Sequence, residues 1–257
     1  MIPNNVLPKQ KSFVKCIYTI FDNHVVFSSD FNDSIDPYIE VISKYKGLVF
    51  ANRDCVDAVF TLSGGYIDKS DMGSCPIPTN SEFNQPINYL PNNLKRIAFG
   101  NSFDQHVVLP DGLEEFSMGS KFNQPIALPN TLKKLVIGES FSQEIDLPMG
   151  LRELTLKNNH KVIDYLPHSL KTLNLGTRFN MEMNNLPTDL SYIYFDSFSD
   201  YNKSLYNLPS SVKSLNLPRY YRNSLRNLPS SVEFLEVSEN YRGEINPGIK
   251  YVMRKEY

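Results

Sequence analysis

The sequence predicts a mainly-β repeat solenoid with one short parallel strand in each repeat of 19 to 22 residues. Three observations predict it. A Leu-Pro pair recurs at Leu90, Leu109, Leu128, Leu147, Leu166, Leu186, Leu208 and Leu228, at separations of 19, 19, 19, 19, 20, 22 and 20 residues. Each pair is followed by an L-x-x-L-x-L pattern, such as Leu132/Leu135/Ile137. Most are preceded by an aromatic residue with an aliphatic partner four positions on, such as Phe122/Ile126. A fixed period near twenty residues marks units that cannot bury an apolar face alone and stack on their neighbours.

In chain order, residues 1–80 are the irregular part, expected to be a degenerate N-terminal cap or small module. Phe13 to Phe21 is β-branched and aromatic enough to form a strand. Val25, Phe27, Phe31 and Ile35 align with Ile97, Phe99, Phe103 and Val107, so a diverged repeat is expected to begin here. Tyr38 to Phe50 reads as a short helix running into a strand at Leu48 to Phe50. Ser63-Gly64-Gly65, Gly73-Ser74-Cys75 and the prolines Pro76 and Pro78 read as turns. The repeat array is assigned to residues 81–246 and a C-terminal cap strand to residues 247–257.

Within the array each part of the unit has a physical task. The alternation L-x-L is a half-buried strand, and one strand per turn stacks into a parallel ladder. The leucine three residues earlier points inward where the chain bends. Proline after leucine fixes φ and offers no N–H, which sets a corner. The polar residues that follow favour turns. Little room is left for helix, so the outer segment is expected to be extended or to carry a 3-10 turn. Phe83, Phe103, Phe122, Phe141 and Phe179, one per turn, are expected to form an internal aromatic spine. Asn158-Asn159-His160 replaces the aromatic in one unit, and Phe198 or Tyr201, then Tyr220-Tyr221, then Tyr241 occupy the slot later. The asparagines after the rings, Asn84, Asn123 and Asn180, are expected to bond backbone groups of the bend.

Composition narrows the function classes. With 257 residues, 41% apolar and 21% charged, the chain suits a folded protein rather than a disordered one. A net charge of -2 gives no bulk attraction to nucleic acid or to an anionic membrane. Cys16, Cys55 and Cys75 have neither a disulfide-framework nor a zinc-site spacing and read as reduced thiols. No signal peptide or membrane span is expected. The expected location is intracellular.

FNQP occurs at Phe83 to Pro86 and at Phe122 to Pro125, each followed by L-P-x-x-L-x-x-L. This combination resembles the FNIP repeat, a leucine-rich-repeat-like family of social amoebae and giant amoeba viruses that often carries an N-terminal F-box. The resemblance covers residues 83 to 245. It implies a binding scaffold without enzymatic activity, located in the host cytoplasm if the protein is viral. The LPSS-V-x-x-L units at Leu208 and Leu228 also resemble short leucine-rich repeats of bacterial effectors. Leu7-Pro8 and Ile20-Phe21 match fragments of an F-box, but the residues between them lack its helical spacing and the chain has no Trp.

No nucleotide-loop or zinc-protease motif is present, and His24, His106, His160 and His168 fall at unrelated phases. No catalytic residue, metal ligand, cofactor or small-molecule substrate is expected. Glu114-Glu115 reads as solvated charge. The strand position before the second leucine reads Arg96, Glu115, Lys134, Glu153, Thr172, Tyr192, Ser214, Phe234 and Tyr251. Its other exposed neighbour reads Ala98, Ser117, Val136, Thr155, Asn174, Tyr194, Asn216, Glu236 and Met253. These rows are expected to line a concave face. Tyr192, Tyr194, Phe234, Tyr251, Arg96 and Lys134 are the candidate contacts for a protein partner. A self-packed Tyr192/Tyr194 pair is the competing reading. The functional expectation is a protein-interaction scaffold. A ubiquitin-ligase substrate adaptor and a glycan-binding or glycan-cleaving solenoid are the alternatives.

Overall fold

A computed structural model describes residues 18–50 and 81–254. Cys16, Cys55, Cys75 and the turn stretches Ser63-Gly64-Gly65 and Gly73-Ser74-Cys75 lie outside the described residues. Among the described residues a single sheet of 12 strands runs in sequence order. β1 (Tyr18–Phe21) and β2 (His24–Phe27) form an antiparallel hairpin. Its two-residue turn, Asp22 at φ 40° and Asn23 at φ 64°, has the left-handed backbone that matches strand twist.

From β2 onward every pairing is parallel. The strands are β3 (Gly47–Phe50), β4 (Arg96–Ala98), β5 (Glu115–Ser117), β6 (Lys134–Ile137), β7 (Glu153–Leu156) and β8 (Thr172–Leu175). They continue as β9 (Tyr192–Phe195), β10 (Ser214–Asn216), β11 (Phe234–Ser238) and β12 (Tyr251–Arg254). The register is strict. Val25, Leu48, Ile97, Phe116, Leu135, Leu154, Leu173, Ile193, Leu215 and Leu235 form one inward row. The fold is therefore a parallel β-solenoid of the leucine-rich-repeat type with little helix. Among the described residues the helical pieces are the α-helix α1 (Ile39–Ile42) and 3-10 turns at Asp36–Tyr38 and Lys161–Asp164.

Two corners close each turn. At the first, the proline carbonyl accepts from the N–H of the leucine three residues on, as in Leu132 to Pro129 at 3.1 Å and Leu113 to Pro110 at 3.0 Å. Proline thus starts a tight turn that delivers the leucine to the core, where Leu113 and Leu132 are fully buried. Serine or threonine just before that leucine ties the corner to the previous one. Ser169 Oγ donates to the Leu151 carbonyl at 2.6 Å, and Ser211 Oγ to the Leu190 carbonyl at 2.6 Å. At the second corner Phe122 N–H donates to the Gly119 carbonyl at 3.3 Å. Successive backbones approach so closely there that a Cβ on Gly119 would strike the Gly100 carbonyl, and one on Gly138 would strike the Gly119 carbonyl.

The core is one continuous cluster running the length of the array. Its axis is the aromatic spine. Ring centroids step 5.8 Å from Phe31 to Phe83, 5.6 Å to Phe103, 6.0 Å to Phe122 and 6.1 Å to Phe141. The Asn158-Asn159-His160 segment corrects the expectation of an interrupted slot. The His160 imidazole fills it, 5.4 Å from Phe141. Beyond Phe179 the rings are Tyr201, Tyr221 and Tyr241, at steps of 6.0, 6.3 and 6.5 Å. Phe198 and Tyr220, the competing choices for the slot, are 69% and 54% exposed.

Candidate functional site

The residues that can act on another molecule are those that the stacking leaves outside. The strand face shows two rows. Arg96, Glu115, Lys134, Glu153, Thr172, Tyr192, Ser214 and Phe234 lie side by side in register. Ala98, Ser117, Val136, Thr155, Asn174, Tyr194, Asn216 and Glu236 form the second row.

The first half of this face is neutralised internally. Arg96 Nε lies 3.3 Å from Glu115, and Lys134 Nζ lies 3.1 Å from Glu153. Behind them Glu114 is bracketed by Lys133 at 2.6 Å and Lys95 at 3.4 Å, and the Lys133 hydrogen bond holds its carboxyl below the usual range. Glu115 corrects the expectation of solvated charge. Only 14% of its side chain is exposed, Oε2 is buried without a hydrogen-bond partner, and burial pushes its pKa up. The candidate contacts Arg96 and Lys134 are therefore partners of neighbouring rungs.

The second half is aromatic. Tyr192 and Tyr194 stack with centroids 6.3 Å apart and planes 21° apart, and Tyr192 is 39% exposed. The pair thus packs on itself and still presents a ring surface. Phe234 shares Tyr192's row two rungs on, with the small Ser214 between them. Tyr251 is a correction. The sequence places it in the Phe234 row, but it pairs with Leu235, and Val252, not Met253, continues the Glu236 row. The cause lies between the corner and the strand: Ile249 takes the corner position of Val232, each N–H bonding the carbonyl three residues back at 3.0 and 3.1 Å, but Tyr251 follows Ile249 by two residues where Leu235 follows Val232 by three, so a spacing carried over from earlier turns misplaces the strand. Tyr251, Val252 and Met253 are 46–49% exposed on β12. Arg254 closes this end, donating to Glu236 at 2.9 Å and to the Leu217 carbonyl at 3.0 Å.

The residue after each spine ring builds a second ladder. Asn84 Oδ1 accepts from the Asp104 N–H at 2.9 Å and from the Gln105 amide at 3.1 Å. Asp104 accepts in the same way from Asn123 N–H at 2.9 Å and the Gln124 amide at 3.1 Å. Asn123 then accepts from Ser142 N–H at 2.9 Å. This corrects the expectation that Asn84 and Asn123 serve their own bend: each side chain bonds the backbone of the next turn. Asn180 takes part only as a donor, its N–H reaching Asn159 Oδ1 at 2.6 Å. The F-N-Q triplet thus has one role per letter: stacking ring, acceptor for the next turn, and second donor to the previous one.

The profile described as FNIP Repeat matches residues 83–121 and 122–159, the two stretches where this triplet ladder is regular. The chain carries FNIP repeats. The FNIP array is also similar to CroV588, a giant-virus protein described as a novel circular LRR protein, with a TM-score of 0.63 at 25% identity over 93% of this chain. The chain spans 42% of that protein's length. A leucine-rich repeat protein from Bacteroides ovatus ATCC 8483 matches at 14% identity over 66% of each chain, with a TM-score of 0.23. A search of curated proteins finds no match.

Among the described residues, no group of three or more His, Cys, Asp or Glu side chains is arranged to hold a metal ion, and no helix is long and apolar enough to cross a membrane. The arrangement offers recognition by rings and guanidinium groups. Sequence reasoning missed one such group. Arginine follows the spine ring in two late turns, at Arg222 and Arg242, where most earlier turns carry asparagine or aspartate. Comparing the positions after each ring would have revealed it.

Proposed function

We propose that the FNIP array is a non-enzymatic protein-interaction scaffold that receives its partner on the second half of the strand face. The stacked Tyr192/Tyr194 pair carries this reading. Two rings already packed on each other lose little further freedom on binding and present apolar area with a polar tip. Phe234 extends the same surface, and the charged half supplies a neutral flank. The expected site is intracellular.

The test is affinity purification with the wild-type chain and with a Tyr192→Ala/Tyr194→Ala/Phe234→Ala variant, followed by rebinding of the recovered protein in purified form. The partner should be lost from the variant while its circular dichroism is unchanged. Equal capture by both chains removes this patch as the site. A substrate adaptor for a ubiquitin ligase is a narrower form of the same reading. It requires the full chain to bind a ligase core subunit as well, and absence of that interaction returns the reading to a plain scaffold. A glycan ligand would show as saturable binding on a glycan array.

A further inference from the structure

The corner that follows β10 and β11 differs chemically from the same corner in earlier turns. In five of those turns the residue after the spine ring is Asn32, Asn84, Asp104, Asn123 or Asn202, each spent as an acceptor for the next turn. Here it is Arg222 after Tyr221 and Arg242 after Tyr241, both exposed. Arginine has no acceptor, so the ladder ends and its place is taken by two cations on adjacent turns.

The two side chains border an open cleft of about 480 Å³, shared with Arg219, Tyr220 and Asn240. Arg242 is held in place: its Nη1 donates to the carbonyls of Glu239 at 2.7 Å and Tyr241 at 2.9 Å, which leaves its Nε and Nη2 donors for a ligand. The Arg222 backbone is pinned by Asn202 Oδ1 at 3.0 Å, and its guanidinium makes no ion pair among the described residues. Tyr220 is 54% exposed, with the Arg219 guanidinium 5.7 Å from its ring centroid. Of the nearby acids, Glu244 is engaged by Arg226 at 3.6 Å.

We propose that this cleft is a docking site for an acidic segment of a partner protein. Arg222 and Arg242 would take neighbouring carboxylates through paired N–H donors, and Tyr220 would pack against the segment's apolar stems. Charge complementarity selects the occupant. The guanidinium pair spans only two adjacent turns, whose preceding rings Tyr221 and Tyr241 are 6.5 Å apart, which suits two side-chain carboxylates. A nucleic acid strand would need a longer basic track, and the chain as a whole carries a net charge of -2. The cleft lies beyond the C-terminal ends of the strands and shares no residue with the Tyr192/Tyr194/Phe234 patch, so the two proposals fail independently.

The test is fluorescence polarisation of a labelled short polyglutamate peptide with the full chain, alongside polyglutamine and a short single-stranded oligonucleotide. The expected result is saturable binding of polyglutamate that weakens as salt rises. Arg222→Glu and Arg242→Glu should each weaken it about tenfold, and Tyr192→Ala should leave it unchanged. Arg222 is exposed and its side chain is unbonded, so Arg222→Glu keeps the wild-type melting curve and decides the matter even if Arg242→Glu unfolds. No saturable binding, equal binding by Arg222→Glu, or tighter binding of the oligonucleotide would overturn the proposal.

Discussion

The turns around Phe103 and Phe122 and the turns around Tyr221 and Tyr241 share one backbone plan and differ in what their side chains are used for. In the earlier turns everything is spent internally. Phenylalanine rings stack, Asn84, Asp104 and Asn123 bond the next turn, and the strand-face charges pair along the sheet. In the later turns tyrosine replaces phenylalanine, arginine replaces asparagine, and rings replace ion pairs on the strand face. The tyrosines are accommodated because their hydroxyls reach main-chain carbonyls: Tyr221 to Lys203 at 3.1 Å and Tyr241 to Asn223 at 2.8 Å. A solenoid can therefore release positions for binding at one end, provided the ring stack and strand ladder run through both.

The largest effect should come from breaking the shared element in the earlier turns. Phe122 is fully buried between Phe103 and Phe141, so Phe122→Ala removes two stacking contacts and opens a cavity, at a cost of about 3–5 kcal/mol. Each turn rests on its neighbours. Denaturant melts should show the cooperative transition shifted to much lower midpoint or split in two; an unshifted single transition would mean the rings do not couple the turns.

Between the two regions sits His160, which should produce a smaller, pH-dependent effect. Its Nε2–H donates to the Gln143 carbonyl at 3.0 Å, and Nδ1 accepts from Val162 N–H at 3.2 Å. A second proton has no acceptor, and burial holds the pKa below its ordinary value. The unfolded chain therefore protonates first as pH falls through about 6.5, and stability declines from there until the lowered folded pKa is passed. The melting temperature of wild type should fall over that window relative to His160→Phe, whose ring completes the spine without a titrating group. Parallel curves for the two proteins would show that the imidazole carries no such burden.

Much of this plan is legible in the sequence. The Leu-Pro period, the L-x-x-L-x-L strands and the ring every turn are repeated, and repetition exposes the periodicity of burial. The strand-face rows follow from the same alternation. What escaped reading depends on contacts between turns. A histidine passes for a gap until its ring is seen stacked on Phe141. The partner of Asn84 is in the next turn, at a distance no local bend suggests. The glycine after each early strand is fixed by the neighbouring turn's carbonyl, as at Gly119. Tyr251 escapes its row because the link from the corner residue Ile249 to the strand is one residue shorter than in earlier turns, and a shift of register by one moves every side chain to the other face.

The smallest effect compares two tyrosines in the later spine. Tyr221→Phe removes a hydrogen bond to a main-chain carbonyl and should lower stability by about 1 kcal/mol. Tyr201 has a buried hydroxyl with no partner, so Tyr201→Phe removes an uncompensated polar group and should not lower the melting temperature. Equal losses for both variants would show that the hydroxyls are not what distinguishes these turns.

The central claim is that the aromatic half of the strand face binds and the ion-paired half does not. Photocrosslinking tests it directly, with benzoylphenylalanine placed at Tyr192 in one chain and at Lys134, in the same row three rungs away, in another. The account predicts a discrete crosslinked partner from the Tyr192 position and none from the Lys134 position. A partner captured at Lys134 with nothing captured at Tyr192 would contradict it.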